Sequence, residues 1–290
     1  VDYFQRIRDG LPESRYDVLI PKEAGYDLPK ENLKSDKHQG FDAMARWSDN
    51  IRDFNYSIGA NFTYSRFWDW EQYDTRRSNS WDEYRNSIWH RVGYVNWGYQ
   101  AIGRFENWEQ IANYPVDIDR KGNRTIVPGD IIYEDVNGDG VVDDNDQVAI
   151  GATSRPNMIY GIGASASWNG LDVNIHFQGA GKSTFCIGGN GVYPFADGGW
   201  GNVLTDVVKS SRWISADISG DPATEDVNAE YPRLTYGWNN NNYRPSTYWM
   251  RNGAYLRLKT VELGYTLPKK IVNKARLNNV RIFCIGTNLR

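Results

Sequence analysis

The sequence of 290 residues has few of the side chains from which metal sites and cross-links are built: 2 cysteines, 3 histidines and 3 methionines. Cys186 and Cys284 have no metal-ligand spacing and would pair only if the fold brought them together, so they leave the redox compartment open. His38, His90 and His176 are not spaced as metal ligands either. His176 alternates with apolar residues in a strand-like segment, which indicates a side chain that faces a wet interior.

Long apolar runs and an excess of one charge are also missing. No segment approaches the roughly 20 apolar residues that a membrane helix needs. A transmembrane strand needs only about 10 residues of alternating character, so a membrane location stays open. The formal net charge of −3 gives a nucleic-acid partner no electrostatic support.

Aromatic residues and glycine are abundant instead. The sequence has 12 Trp, 19 Tyr and 28 Gly, while its mean hydropathy is −0.65. An ordinary soluble enzyme core takes its apolar fraction from Leu, Ile and Val rather than from aromatic residues. The composition therefore favours strands with one apolar face, joined by long hydrated loops.

Strict alternation of apolar and polar residues indicates long β-strands. The clearest example runs from Arg52 to Arg66, where one face is apolar and the other carries small, neutral polar residues. This run exceeds a typical globular strand and is long enough to cross a bilayer at a tilt. The same pattern predicts strands at 1–11, 39–49, 158–168, 171–178, 255–267 and 280–287, with a proline-containing loop over 12–37.

Two local signals indicate how these strands are built and joined. Asn169-Gly170 separates two of them, and this dipeptide favours a two-residue type I′ hairpin turn. Such a short turn between long strands is typical of the periplasmic side of an outer-membrane barrel. Within 255–267 the apolar residues change face, and a β-bulge near Lys259 or Thr260 would restore one apolar face.

The segments between the strands are long and rich in tryptophan. Short helices are predicted at 108–113, capped by Asn107, and at 203–213, capped by Asn202. The tryptophans fit two interpretations: a membrane-interface belt or self-packed loop, and a set of flat platforms for sugar rings. Under the second interpretation the candidate ligand contacts are Trp68, Trp70, Trp81, Trp89, Trp200 and Trp238.

The segment from Asp135 to Asp146 has the spacing of a calcium-binding loop. Oxygen-bearing side chains stand at loop positions 1, 3, 5, 9 and 12, with Gly140 at position 6. The predicted ligands of a structural Ca²⁺ ion are Asp135, Asn137, Asp139, the main-chain carbonyl of Val141, Asp143 and Asp146. Because position 12 is Asp rather than the longer Glu, we expect modest affinity.

The same residue types also form turns without a metal. Asp and Asn side chains accept hydrogen bonds from nearby backbone N–H groups, and Gly adopts positive φ readily. A metal-free loop closed by its own hydrogen bonds is therefore the alternative. No amphipathic helix flanks the loop, which argues against a helix-loop-helix calcium sensor.

Several short motifs have the character of one family. The longest is Pro128-Gly129-Asp130-Ile131 followed by Tyr133-Glu134-Asp135-Val136-Asn137-Gly138-Asp139-Gly140. Further matches are Phe177-Gln178-Gly179, Tyr255-Leu256-Arg257-Leu258-Lys259, Leu263-Gly264-Tyr265-Thr266-Leu267-Pro268 and Gly286-Thr287-Asn288-Leu289, with Asp2-Tyr3-Phe4 and Gln39-Gly40-Phe41 upstream. Together these motifs resemble the SusC/RagA-like TonB-dependent outer-membrane transporters of Bacteroidota.

The resemblance implies an all-β fold, as part of a large, plugged transmembrane antiparallel β-barrel of about 22 strands with long extracellular loops. It implies import of oligosaccharides or peptides across the outer membrane, in contact with outer-membrane lipid and with a SusD-like surface lipoprotein. Energy would come from TonB, and transporter–lid pairs would associate as dimers. The family is not an enzyme family, so no catalytic residue is carried over.

The sequence shows no signal peptide, TonB box, plug domain or terminal strand that ends in an aromatic residue. We therefore expect residues 1–290 to be a C-terminal portion of the barrel. The alternative function is a secreted, soluble β-sandwich that binds glycans and is stabilised by calcium. A hydrolase that uses paired carboxylates from Glu71, Asp74, Asp82 and Glu83 has little support, because no motif positions them.

Overall fold

A computed structural model describes residues 1–15, 17–75, 77–196 and 201–289. Its strands are β1 (Asp2–Glu13), β2 (Glu31–Ile51), β3 (Phe54–Glu71), β4 (Arg91–Val92), β5 (Trp97–Gly98), β6 (Ala101–Arg104), β7 (Ile131–Tyr133), β8 (Val148–Ala149), β9 (Met158–Trp168), β10 (Leu171–Gly181), β11 (Thr184–Cys186), β12 (Met250–Asn252), β13 (Tyr255–Thr266) and β14 (Arg281–Leu289). Its α-helices are α1 (Ser80–Asn86), α2 (Trp108–Ala112), α3 (Thr205–Lys209), α4 (Ala216–Ser219) and α5 (Lys269–Val272). Single turns of 3₁₀ helix occur at Lys22–Ala24, Asp144–Asp146, Pro222–Thr224, Thr247–Trp249 and Asn273–Ala275.

One antiparallel sheet dominates the described part of the chain. In it, β1, β2, β3, β9, β10, β13 and β14 lie side by side in that order, and β4 pairs with the end of β3 to complete an eight-stranded sheet. The pairs β5–β8, β6–β7 and β11–β12 form small separate sheets. The predicted all-β antiparallel architecture is therefore confirmed. No helix among the described residues is both long and apolar enough to span a membrane.

The strand register places the apolar side chains of neighbouring strands on one face of the sheet. Ile58 of β3 lies opposite Trp47 of β2 and Ala164 of β9. Ala164 lies opposite Ile175 of β10, which lies opposite Val261 of β13. Directly opposite residues of antiparallel strands share a face, so this row continues the alternation seen in the sequence across five strands.

This apolar face is open. Ile58 is 54% exposed and Trp47 is 66% exposed, because the long strands form one sheet rather than two sheets that face each other. The described strands therefore do not form the β-sandwich considered as an alternative.

The turn and the bulge predicted from the sequence are both present. Asn169 and Gly170 have φ values of 47° and 84°, as a type I′ turn requires. A Cβ at Gly170 would lie 2.6 Å from the carbonyl oxygen of Thr266, so only glycine fits there. The register between β10 and β13 shifts at His176 and Phe177, which leaves Lys259 of β13 as the extra residue of a bulge.

The opposite face of the sheet is polar. The hydroxyls of Ser57 and Ser165 lie 2.7 Å apart across β3 and β9. Arg281 of β14 donates hydrogen bonds to Asp172 and to Glu262, each at 2.5 Å. These contacts occur on the side that the alternation assigned to a wet interior.

The strand connections differ strongly between the two ends of the sheet. Ser35 at the start of β2 pairs with Glu71 at the end of β3, so the long segments 14–30, 72–157 and 182–254 leave from one end. The connections 52–53, 169–170 and 267–280 lie at the other end. Two of the three connections at this second end are two-residue turns, and the third, 267–280, contains α5. Long loops at one end and mostly short turns at the other are typical of outer-membrane barrels.

Three expectations for the connections need comment. The α2 helix is confirmed at 108–112, and the Asn107 side chain caps it by accepting a hydrogen bond from the Gln110 N–H at 2.9 Å. The loop expected over 12–37 is shorter, because β1 and β2 pair as far as Glu13 and Glu31.

The helix expected over 203–213 with Asn202 as its cap is wrong: α3 covers only Thr205–Lys209 and has no side-chain cap. The Trp213 N–H bonds to the Tyr231 carbonyl instead, so pairing with a distant segment overrides helix propensity.

Candidate functional site: the loop assembly at one end of the sheet

The described residues of the two longest connections, 72–157 and 182–254, form what we call the loop assembly. It has its own apolar core in two clusters. The first comprises Tyr99, Phe105, Ile111, Ile118, Ile126, Ile131, Ile132, Tyr133 and Val142. The second comprises Tyr193, Ala196, Tyr243 and Trp249, and Tyr248 packs against both clusters. Loops with a packed core present a defined surface rather than a flexible one.

Asp130 joins the two connections. It is 1% exposed and accepts hydrogen bonds from Arg233, from Nε to Oδ1 at 2.7 Å and from Nη2 to Oδ2 at 3.2 Å. It also accepts from the Asn242 side-chain N–H₂ at 2.8 Å and from the Val127 backbone N–H at 3.0 Å. Asp130 belongs to the longest family-like motif, so the structure gives that motif a structural role: it holds one loop against the other.

Further polar contacts lie around Asp130, and those of Ile131 and Tyr133 cross the same boundary. The Asn242 side-chain oxygen accepts from the Ile131 N–H at 2.9 Å, and the Asn242 carbonyl accepts from the Trp249 indole at 2.7 Å. The hydroxyl of Tyr133, which is fully buried, donates to the Asn241 carbonyl at 2.7 Å. Burial raises the pKa of Tyr133, so its phenol stays protonated and remains a donor.

A second arginine, which is buried, lies at this boundary. Arg104 of β6 is 8% exposed and donates to the carbonyls of Ala229 and Tyr231 and to the hydroxyl of Tyr248. Sequence reasoning missed Arg104, Arg233 and Asn242. The only signal was the Asn-rich run at 239–242, because the partners lie far apart in the sequence.

The acidic loop from Asp135 to Asp146 closes on its own backbone. Asp135 accepts hydrogen bonds from the N–H groups of Gly138, Asp139 and Gly140 at 2.7–3.3 Å. Asn137 accepts from the Asp139 N–H at 3.0 Å, and Asp139 accepts from the Val141 N–H at 2.9 Å. These contacts account for the shape of the loop by side-chain to backbone hydrogen bonding.

Asp146, at position 12 of this loop, is fully buried. Its carboxylate accepts from the N–H groups of Val136, Asn137 and Asp143 at 2.9, 3.4 and 2.7 Å. Burial raises the pKa of Asp146, although these backbone hydrogen bonds act in the opposite direction. Both of its oxygens are thus engaged in closing the loop.

The hard oxygen donors of this loop suit Ca²⁺ chemically. Within the described residues, however, no group of three or more His, Cys, Asp or Glu side chains is arranged to hold a metal ion. The calcium site therefore stays a prediction from the sequence.

The predicted cargo-contact tryptophans lie in separate surroundings. Trp70 packs against His90 in a tilted arrangement with ring centroids 4.3 Å apart, and the Lys37 ammonium lies 4.2 Å from the Trp70 ring. Trp68 is in β3, and Trp81 packs on Tyr84. Trp89 is 53% exposed and lies next to His90. Trp238 packs edge-on against Tyr193 and Tyr243. Trp200 lies outside the described residues. Among the residues described, no aromatic contact joins Trp68, Trp70, Trp81 or Trp89 to Trp238. The role of all six tryptophans in cargo binding therefore stays a prediction.

A cavity of about 490 Å³, which we call the seam pocket, lies where the two connections meet. Residues 106–108 and 127–128 come from the first connection, and residues 212–215, 217–218, 225 and 233–234 come from the second. Trp108 is 63% exposed at this pocket, whereas Trp213 is buried and packs its ring on Gly129. Neither tryptophan was among the predicted cargo contacts, because no sequence pattern brings them together.

The remaining candidates have structural explanations or stay isolated. Asp74 forms an ion pair with Arg77 at 2.8 Å, and Asp82 accepts a hydrogen bond from Asn86. Cys186 and Cys284 are both free and exposed.

Known proteins of similar sequence are TonB-dependent receptors. The chain is 26% identical to TonB-dependent receptor P26 of Formosa agariphila over an alignment 301 positions long, gaps included, which covers 99% of the chain and 27% of the receptor. It is also 26% identical over 194 residues to TonB-dependent receptor P3 of the same organism, which covers 66% of the chain and 18% of that receptor. The chain thus spans about a quarter of the length of receptor P26. No family model matches it.

Solved structures show the same fold. The RagAB peptide importer in its 'open-open' state superposes with a TM-score of 0.65 at 18% identity, over 99% of this chain and 28% of that chain. The 'closed-closed' state gives 0.63 at 19% identity, over 99% of this chain and 29% of that chain.

The antiparallel sheet with its loop assembly is therefore an all-β structure of the type found in the RagA barrel. The resemblance to SusC/RagA-like TonB-dependent transporters indicated by the sequence motifs is confirmed, since the relatives similar to this chain are TonB-dependent receptors. These relatives are receptors and importers rather than enzymes.

Proposed function

We propose that this chain forms part of the wall of an outer-membrane transporter that takes up oligosaccharides or peptides with energy from TonB. The observation that carries this proposal is the open apolar face of the sheet. Monomeric soluble proteins rarely expose contiguous apolar patches beyond a few hundred Å². Here such a face extends across neighbouring long strands, and lipid is the environment that suits it.

The distribution of aromatic residues agrees with a position in the bilayer. Trp47, Phe54 and Trp168 lie close to the short-turn end of the sheet, and all three are exposed. Aromatic rings concentrate where the hydrocarbon core meets the headgroups, because one part of the ring system is apolar and another part is polar. The short-turn end would then face the periplasm and the loop assembly would face the exterior.

The loop assembly is the part of this chain that would meet cargo and a partner at the cell surface. In this proposal a SusD-like lipoprotein covers the loop assembly, and two transporter–lipoprotein pairs associate. The peptide cargo of the structurally similar RagAB importer supports peptides as one cargo class, and the resemblance to the SusC family supports oligosaccharides. The assignment of residues 1–290 to a C-terminal portion of the barrel, and a structural Ca²⁺ at Asp135–Asp146, are parts of the same proposal.

Uptake by intact cells tests the proposal. Cells that produce the protein should accumulate a labelled oligosaccharide or peptide mixture, and deletion of tonB or of the protein should abolish the accumulation. Fractionation should recover the protein in the outer membrane. Recovery as a soluble secreted protein, or uptake that is the same without TonB, would reject the transporter function.

A further inference from the structure

We propose that the seam pocket is a binding site for short peptides that carry an apolar side chain beside a basic one. This inference rests on the proposed import function and names the cargo chemistry that the loop assembly would select. The seam pocket has a volume of about 490 Å³, which is within the usual range for ligand pockets and suits a peptide of a few residues rather than a long chain.

The walls of the pocket are fixed before any ligand arrives. They come from both connections, which the buried ion pair between Arg233 and Asp130 holds together at 2.7 Å. Arg233 itself lines the pocket, and Trp213 is anchored against Gly129 of the first connection. A preformed pocket binds more tightly because little conformational freedom is lost when the ligand enters.

Apolar side chains form much of the lining. Ile214, Ile218 and Leu234 contribute aliphatic surface from the second connection, and Pro128 faces them from the first. Ile218 is 82% exposed, and Trp108 adds an exposed aromatic face. Burial of an apolar ligand side chain against these residues supplies the main driving force.

The charge of the lining selects the second feature of the ligand. Carboxylates come from Glu106, Asp217 and Glu225, and within the described part of the chain none of them forms an ion pair. Of the two arginines in the lining, Arg233 is neutralised by Asp130, which leaves Arg212 to oppose the three carboxylates. The unpaired charge is therefore negative, and it favours a cationic ligand.

Peptides fit this lining better than neutral sugars. A sugar ring stacks on an aromatic face and its hydroxyls can donate hydrogen bonds to carboxylates, but a neutral sugar gains nothing from the excess negative charge and little from the aliphatic wall. A leucine-like side chain next to lysine or arginine uses both features.

Direct binding to the purified protein in lipid nanodiscs tests the inference. The probes are fluorescent tripeptides of the forms Lys-Leu-Lys, Glu-Leu-Glu and Lys-Gly-Lys, with unlabelled maltotriose as competitor. We expect Lys-Leu-Lys to bind about tenfold more tightly than either other peptide, and maltotriose not to displace it. Trp108→Ala, and the double change Glu106→Gln with Asp217→Asn, should each weaken Lys-Leu-Lys binding about tenfold.

Matched changes outside the pocket control for general effects. Glu109→Gln lies on the same short helix as Trp108, and Tyr236→Ala removes an aromatic residue that is 78% exposed; both should leave affinity within about twofold. All these side chains are exposed or line an open pocket, so the variants should fold. Equal binding of the acidic and basic tripeptides, unchanged affinity in the pocket variants, or displacement by maltotriose would overturn the inference.

The two proposals fail separately. Loss of TonB-dependent uptake in the wild-type protein would reject the transporter function without affecting tripeptide binding in nanodiscs. Normal uptake together with no preference for Lys-Leu-Lys would reject the pocket assignment and leave the transporter function standing.

Discussion

Replacing Asp130 with alanine should release one loop of the assembly from the other. The Asp130 side chain is 1% exposed and its partner Arg233 is 21% exposed, so the pair is largely removed from water. Breaking a buried pair by removing one partner costs about 3–5 kcal/mol, because the other charge is left unpaired. Arg233 reaches water in part, and Asn242 loses one acceptor, so we expect a loss of about 3 kcal/mol.

Hydrogen exchange measures this loss locally. The Ile131 N–H is bonded to the Asn242 side chain at 2.9 Å, and its exchange reports opening of the boundary between the loops. A loss of about 3 kcal/mol corresponds to roughly 150-fold faster exchange. The long strands should keep their protection, because the hydrogen-bond partners of Asp130 all lie in the loop assembly and not in the main sheet.

Asp74→Ala is the matched control. Asp74 also pairs with an arginine, Arg77, at 2.8 Å, but that pair is local in sequence and its side chains are 23% and 24% exposed. Because both of its side chains reach water, whereas Asp130 does not, we expect the loss of this pair to cost less, about 1 kcal/mol. If Asp130→Ala and Asp74→Ala change the exchange of the Ile131 amide equally, Asp130 does not join the two loops.

Three further predictions concern the membrane face, pH and calcium. Ile58→Lys should destabilise the protein folded in liposomes by about 2–4 kcal/mol in urea titration, whereas Ser57→Lys on the polar face should cost far less; equal costs would contradict the lipid-facing assignment. Burial raises the pKa of Asp119, but hydrogen bonds from Thr125 and the backbone outweigh this effect, so the net pKa falls from 3.8 to about 2. The stabilisation is therefore complete above about pH 4 and is lost as pH falls through about 2, so the Thr125 amide resonance should titrate near pH 2 in the wild type and not in Asp119→Asn. Ca²⁺ should raise the melting temperature modestly and Asp135→Ala should remove that rise; calorimetry without heat and an unchanged melting temperature would exclude the site.

Much of the sheet could be predicted from the sequence because its signals are local. The alternation through Ile58, the type I′ turn at Asn169-Gly170 and the bulge at Lys259 each depend on residues within one or two strands. A strand with one apolar face has to keep its register, because a slip of one residue would turn every apolar side chain to the wet side. The α2 cap at Asn107 was predictable for the same reason.

The loop assembly could not be predicted in this way. Neither Arg233, which lies 103 residues after Asp130, nor Asn242, 112 residues after it, belongs to a periodic pattern that connects it to Asp130. The same limitation made the helix expected over 203–213 wrong, because Trp213 pairs with Tyr231 rather than continuing a helix. For the same reason, the sequence did not predict that Trp108 and Trp213 line one pocket.

The sequence by itself determined the faces of the strands, their turns and the family resemblance, since each follows from neighbours along the chain. The tertiary structure decided which loop residues meet. Contacts between distant segments depend on the closure of long loops around a shared core, and a buried carboxylate such as Asp130 acquires its role only when partners from another segment reach it.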